Sequence, residues 1–285
     1  GSEMCIRDSI AFDSRHMSPE FAKETALCMA ANGIKAYIFP SLRPTPMLSF
    51  ALRELGCTAG VVVTASHNPP QYNGYKVYWE DGAQITAPKD KQIITEVQAI
   101  TDFAQVKTMS GEDAKAAGLY EVIGEEIDDK YMEALKKLVL RPEAIKEQAD
   151  KLKIVYTSLH GTGNIPVRRV LKELGFNNVY VVKEQEFPDG DFPTVSYPNP
   201  EDKNAFTLSL KLAKEVDADI ATGETSVLSL PESNVLYFEL EDGAWFCVRP
   251  SGTEPKIKYC AGVKGADAQD ATEKLEALSK AVVEL

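Results

Sequence analysis

The sequence predicts an α/β protein in which mixed, mostly parallel sheets are covered by helices on both faces, followed by a small C-terminal α+β unit. Three observations carry this expectation. From residue 10 to about 99, short apolar runs alternate with capped helical segments, the pattern of βαβ units and a parallel sheet. The same alternation restarts at Lys153 and continues to Thr222. From Asn234 onward, three strand-like runs follow one another before a single terminal helix. The expected organisation is a leader over 1–9, a first α/β domain with a helical link over 10–150, a second domain over 151–226, and a C-terminal domain over 227–285.

In the first domain, strands are expected over 10–13, 35–39 and 60–64. The helices between them are bracketed by start and stop signals. Ser18-Pro19-Glu20 supplies an N-cap with proline at the first helical position, and Gly33 sits where a left-handed stop belongs; Thr45-Pro46 and Gly56 repeat the scheme. Glu80-Asp81-Gly82 is a hairpin turn between 75–78 and 84–85, and the acidic stretch 100–150 predicts a helical link. In the second domain a strand over 153–157 leads through Gly161-Thr162-Gly163 into a helix over 165–174 and a strand over 179–182. The proline-rich stretch 186–200 excludes helix and central strand and predicts a long surface loop with a role. A helix over 204–216 and a strand over 219–222 follow, then strands over 235–240, 244–248 and 256–263 and a helix over 267–283.

With 285 residues, 44% hydrophobic and 26% charged, the composition is that of a folded globular chain. A net charge of −12 argues against a general nucleic-acid binder, so an anionic ligand would have to be held by local cations. No apolar run reaches the roughly 20 residues that span a bilayer, and no signal-peptide pattern opens the chain, which leads us to expect a cytoplasmic protein. Cys5, Cys28, Cys57, Cys247 and Cys260 are scattered without a C-x-x-C pair, so reduced thiols are expected rather than zinc or a disulfide framework.

Chemistry concentrates in Thr64-Ala65-Ser66-His67-Asn68-Pro69-Pro70-Gln71-Tyr72-Asn73-Gly74-Tyr75-Lys76. Ser66 follows the apolar strand Gly60-Val61-Val62-Val63 on a loop stiffened by two prolines and turned by Gly74, with His67, Asn68 and Lys76 supplying donors and a cation near its hydroxyl. That equipment suits a phosphate. A serine hydroxyl needs a base to become a nucleophile, and His67 and Lys76 are the candidates within the motif. No G-x-S-x-G elbow surrounds Ser66, which disfavours an α/β-hydrolase. Arg249-Pro250-Ser251-Gly252-Thr253 is a second anion-site candidate: Arg249 offers a planar fork, Ser251 and Thr253 hydroxyls, and Gly252 lets backbone N–H groups converge. Lys256 and Lys258 either add charge there or form a solvated edge, and Gly161-Thr162-Gly163 is favoured as a structural turn.

These motifs resemble the α-D-phosphohexomutases, whose active-site loop reads T-A-S-H-N-P. The resemblance extends through Ala11-Phe12-Asp13-Ser14-Arg15, Arg43-Pro44-Thr45-Pro46, Leu159-His160-Gly161-Thr162-Gly163-Asn164 and Arg249-Pro250-Ser251-Gly252-Thr253-Glu254-Pro255-Lys256. It is nearest to the bacterial phosphoglucomutase branch, with its Gly-Tyr-Lys-Val-Tyr continuation, and covers the chain beyond the first nine residues. The resemblance implies a phosphoserine at Ser66, interconversion of glucose 1-phosphate and glucose 6-phosphate through a 1,6-bisphosphate, glucose 1,6-bisphosphate as activator, and Mg2+ with the seryl phosphate as one ligand. A hexose phosphate is the implied partner, mannose phosphates being the alternative, with no nucleic acid and no membrane. It also assigns Arg249, Ser251, Gly252 and Thr253 to the non-transferring phosphate, and leaves Arg15 either facing the cleft or in a surface ion pair.

The implied metal-binding D-x-D-x-D-R loop does not follow Asp217-Ala218-Asp219-Ile220-Ala221-Thr222-Gly223; Glu224-Thr225-Ser226 leads directly into Val227-Leu228-Ser229-Leu230-Pro231. Asp217 and Asp219 precede the expected loop and are read as a helix end and a strand edge. Domain three and the opening of domain one are expected to be missing. The rival expectation is thus an inactive internal-deletion product that at most binds phosphosugars, with self-association through newly exposed apolar surface.

Overall fold

The structure is a computed structural model that describes residues 6–221, 236–239, 245–250, 257–263 and 268–283. It divides into two units, Gly1–Glu224 and Thr225–Leu285. Among the described residues no helix is long and apolar enough to cross a membrane.

The first unit opens with β1 (Arg7–Phe12), α1 (Ser18–Ala31), β2 (Lys35–Ile38), α2 (Thr45–Glu54), β3 (Ala59–Val63) and β4 (Tyr75–Trp79). Next come α3 (Lys89–Ala99), α4 (Gly111–Ala116), β5 (Tyr120–Val122), α5 (Glu125–Lys136) and α6 (Pro142–Gln148). Five strands form one sheet in the order β4-β3-β1-β2-β5, with only β4 antiparallel to its neighbour. Because side chains alternate along a strand, Ile10 and Phe12 of β1 pack with Ala22 and Ala26 of α1 on one face, while Ala11 packs with Leu48, Ala51 and Leu52 of α2 on the other. Burial on both faces is why β1 and β3 read as continuous apolar runs.

That order sets the site. From β1 the chain passes to β2 on one side, then returns across to β3 on the other, so the loops after β1 and β3 diverge and open a crevice at the strand carboxyl ends. The second domain repeats the arrangement with β6 (Lys153–Tyr156), α7 (Asn164–Glu173), β7 (Asn178–Val181), α8 (Thr207–Val216) and β8 (Ile220–Ala221), its parallel sheet running β7-β6-β8. Here the crevice opens beyond β6, at 157–163.

Several expectations are corrected. The leader set aside over 1–9 contributes Arg7, Asp8 and Ser9 to β1, where Asp8 Oδ1 accepts from Ala59 N at 2.9 Å. Polar residues buried inside a sheet leave no hydropathy signal, and burial raises the Asp8 pKa despite that hydrogen bond. The link over 100–150 is not wholly helical: β5 adds a fifth strand beside β2, too short to announce itself. Ser18 does not cap α1. Met17 occupies the N-cap position at φ 63°, and the Ser18 hydroxyl donates to Asp13 Oδ1 at 2.8 Å instead. Thr45 likewise begins α2 after an extended Pro44, without a side-chain cap. Gly33 and Gly56 are the left-handed stops expected, at φ 78° and 60°.

Arg43 pins the link to the first domain. Its Nε and Nη2 donate to Asp128 Oδ1 and Oδ2 of α5 at 2.9 and 2.6 Å, and Nη1 donates to Ser41 Oγ and to the Leu42 carbonyl. Both partners are largely buried. Removing one member leaves an uncompensated charge, so Arg43→Met is expected to lower stability by about 3 kcal/mol in urea titration, and Arg43→Met with Asp128→Leu to recover most of it.

The second unit contains β9 (Leu236–Glu239), β10 (Trp245–Pro250), β11 (Ile257–Gly262) and α9 (Ala268–Val283). The strands form an antiparallel sheet in the order β11-β10-β9, the α+β pattern the sequence predicts. Its register puts Cys247 opposite Cys260 and Arg249 opposite Lys258.

Candidate active site

Ser66 stands just beyond the end of β3 in a left-handed conformation at φ 55°. An L-residue there is strained by about 1–3 kcal/mol and persists when its surroundings over-determine it. They do. Its N–H donates to Thr64 Oγ1 at 3.0 Å, while Thr64 N donates to the Gly74 carbonyl at 2.9 Å and closes the loop. Gly74 is required at this closure, since a Cβ would lie 2.6 Å from the Thr64 carbonyl oxygen. Asn73 staples the loop to the start of α1, donating to the His16 carbonyl and Ser18 Oγ at 3.0 and 2.9 Å.

Arg15 is the principal support, and the expectation of a cleft-facing or surface-paired arginine is corrected. The side chain is buried, with the residue 2% exposed. Nη1 donates to the carbonyls of Pro69 and Tyr72 at 3.0 and 2.9 Å, and Nη2 to those of Ser66 and Asn68 at 2.9 and 2.6 Å. Both terminal nitrogens are therefore spent on the serine loop. Nε faces Asp13 Oδ2 at 3.3 Å, an ion pair without hydrogen-bond geometry. Burial lowers the Arg15 pKa and Asp13 raises it, with burial the larger influence. A planar fork with several fixed donors can gather four carbonyls in this way; a lysine cannot.

Antiparallel pairing brings Lys76 back beside β3, opposite Val62. Its Nζ donates to Ser66 Oγ at 2.6 Å. The structure thus brings together two of the three residues the sequence nominates for catalysis. His67 is exposed and lines the same cleft, but among the described residues it makes no hydrogen bond to Ser66.

The cleft, about 550 Å³, lies between the two domains of the first unit. On one wall are Asp13, Ser14, Thr45, Ser66 and His67; on the other are Thr157, Ser158, Gly161, Thr162 and Gly163. A second concavity of about 500 Å³ reaches Ser66 from the side of Lys76, Asn73, Tyr197 and Asn199. His160 behaves as the structural residue expected of its turn. It is buried, with Nδ1 at 3.1 Å from the Phe187 carbonyl and Nε2 at 2.9 Å from Thr194 Oγ1. Tyr156 floors the turn, and burial pushes its hydroxyl up to about 12, leaving it a protonated donor at neutral pH.

Asp13 is the carboxylate on this cleft, and it is engaged: Oδ1 accepts from Arg15 N and Ser18 Oγ, while Oδ2 faces Arg15. Asp219 Oδ2 accepts from Lys153 N at 2.9 Å, and Asp217 closes α8 at φ 53°. Among the described residues no three His, Cys, Asp or Glu side chains cluster as a metal site. The described residues do not fit a magnesium cage, because a hard dication needs several oxygen ligands and the one carboxylate at hand is committed. Ser251, Gly252 and Thr253 lie outside the described residues; Arg249 is the penultimate residue of β10, in register with Lys258.

Family models describing phosphoglucomutase/phosphomannomutase α/β/α domain I, α/β/α domain II and the C-terminal domain match residues 9–103, 129–223 and 201–279. The chain belongs to the α-D-phosphohexomutase family. The chain is 41% identical over 213 residues to a protein named probable phosphomannomutase from Haemophilus influenzae, covering 74% of the chain and 41% of the relative. It is also 41% identical over 214 residues to a phosphoglucomutase of Staphylococcus epidermidis, covering 75% and 38%. Among solved structures, a phosphoglucomutase/phosphomannomutase family protein from Burkholderia thailandensis superimposes with a TM-score of 0.54 at 25% identity, over 76% of this chain and 43% of that one. The chain thus spans about two fifths of the length of the curated relatives it matches. Its matches to domain II and to the C-terminal domain overlap, so no residues lie between them.

Proposed function

We propose that this chain carries the phosphoserine chemistry of a phosphoglucomutase: Ser66 accepts a phosphoryl group from glucose 1,6-bisphosphate and returns it to a glucose monophosphate. The observation that carries this reading is the 2.6 Å contact of Lys76 Nζ with Ser66 Oγ at the lip of a cleft. As an ammonium, Lys76 stands where the bridging oxygen of a seryl phosphate would need a positive partner. When Ser66 accepts the phosphoryl group its proton has to leave as the seryl O–P bond forms, and Lys76, once deprotonated, is the base within reach; when the group is returned to the sugar, the proton goes back to Ser66 Oγ. The Thr162 and Gly163 N–H groups of the glycine turn and the second phosphate grip read in the sequence at Arg249, Ser251, Gly252 and Thr253 suit an anionic hexose phosphate inside a chain of net charge −12, the Gly161 N–H being committed to the Ser158 carbonyl at 2.9 Å. Cytoplasmic sugar phosphates are the substrate pool this implies.

The rival reading, an internal-deletion product without turnover, is favoured by one observation: the Asp13 carboxylate on the cleft is turned to Arg15 and Ser18, Oδ1 by hydrogen bonds and Oδ2 by an ion pair. Magnesium would neutralise the transferring phosphoryl group in the family, and the described residues offer it no free carboxylate. We therefore expect the half-reaction at Ser66 to outlast the full cycle. In a coupled assay of glucose 1-phosphate conversion, this chain is expected to turn over at least about 10³-fold more slowly than a full-length relative. Turnover equal to the relative's would contradict the deletion argument, and faster use of mannose 1-phosphate would overturn the glucose assignment.

A further inference from the structure

The long loop over 186–200 does more than border the cleft. Asp189 N donates to the His160 carbonyl at 3.3 Å, and Thr194 Oγ1 meets both His160 and the fully buried Gln185, so the second domain holds this loop at both ends of a tight bend. The bend is pressed onto Ser14, Arg15 and His16 of the first domain. A Cβ on Gly190 would lie 3.0 Å from His16 N and 3.1 Å from the Ser14 carbonyl, and Asp191 Oδ1 is 2.6 Å from His16 Nε2. Phe192, buried at a left-handed φ of 48°, sets its ring against Arg15, 5.3 Å from the guanidinium carbon.

We propose that Phe192 is a positioning residue for Ser66, acting through Arg15, so that the serine loop reaches its reactive conformation only while the second domain is docked. The geometry gives the reason. All four terminal N–H bonds of Arg15 point in the guanidinium plane at the carbonyls of Ser66, Asn68, Pro69 and Tyr72. What remains open to competition is the space around that cation, and the Phe192 ring, with the guanidinium carbon 5.3 Å from its centroid, excludes water that would otherwise bond the same carbonyls. Phe192 also lines the Ser66 cleft, so the residue that covers Arg15 is supplied by the domain that builds the opposite wall. A chain whose domains have separated would then carry a loosened serine loop.

This proposal rests on the phosphoserine reading, and its test separates the two. Hydrogen exchange of amides over 64–76 is measured in the wild type, Phe192→Ala and Phe192→Tyr, with β1 and β6 as internal references, and the rate of Ser66 phosphorylation by glucose 1,6-bisphosphate is followed in the same samples. Phe192→Ala is expected to speed exchange in the serine loop about 10-fold, leave β1 and β6 unchanged, and slow phosphorylation about 10-fold, with Phe192→Tyr restoring both. Unchanged loop exchange in Phe192→Ala overturns the proposal whatever the labelling shows. An increase spread equally over β1 and β6 also overturns it, since Phe192 would then be packing alone. If wild type is not phosphorylated at all, the functional reading fails, and the exchange result still decides the coupling.

Discussion

Lys76→Met is expected to slow phosphoryl transfer through Ser66 by about 10²–10³-fold, the range found when one preorganised charge partner is removed from a reacting centre. Methionine keeps the length and much of the volume of the lysine stem on β4, so the strand and its pairing with β3 should survive. The serine loop should survive too, because Arg15, Asn73 and the Thr64–Gly74 hydrogen bond hold it without help from Lys76. What is lost is the ammonium 2.6 Å from Ser66 Oγ. Single-turnover labelling with glucose 1,6-bisphosphate reads the loss directly, and Lys76→Arg divides the two roles. Arginine preserves charge and cannot act as a base near neutral pH. Recovery of transfer from phosphoserine to the sugar with labelling of Ser66 still slow would assign Lys76 as both charge partner and base; labelling of Lys76→Met at the wild-type rate would remove it from the mechanism.

Arg15→Met should weaken both the fold and the chemistry, and the chemistry more. The change deprives four loop carbonyls of a charge-assisted donor inside a buried site. Such bonds contribute about 1.5–3 kcal/mol each when taken singly, but a loop released at one end can turn its carbonyls to water. We therefore expect a net destabilisation of about 3 kcal/mol in urea titration rather than the sum. Transfer should fall by about 10²-fold or more, since a displacement of 1 Å at the nucleophile is enough for that. Arg15→Lys should not rescue it, because three N–H bonds from a single nitrogen cannot reach carbonyls spread over Ser66, Asn68, Pro69 and Tyr72. Wild-type labelling in Arg15→Met would mean that Ser66 needs no such scaffold.

Much of this was legible in the sequence because the physics is local. The apolar runs of β1 and β3 follow from burial on two faces, and Gly33 and Gly56 announce their left-handed stops. Ser66 and Lys76 stand in one motif whose hairpin geometry returns the lysine to the serine. The structure's additions are long-range. Arg15 sits 51 residues before Ser66, and nothing in Asp13-Ser14-Arg15 alone says whether the fork turns toward solvent or inward. The docking of Phe192 on Arg15 depends on how two domains meet, which no periodicity encodes. A proline-rich stretch marks 186–200 as loop and is silent on where its bend lands. The failed caps at Ser18 and Thr45 share a cause: a hydroxyl with a stronger tertiary use, as at Ser18 between Asp13 and Asn73, does not stay with its own helix. β5 was hidden because three residues at a sheet edge carry too little pattern.

The most direct measurement is intact mass spectrometry of the purified chain after incubation with glucose 1,6-bisphosphate and magnesium, with fragmentation across 64–76. The account predicts a gain of about 80 Da, one phosphoryl group, localised to Ser66. An unmodified Ser66 in this chain, beside a full-length relative labelled under the same conditions, would contradict it.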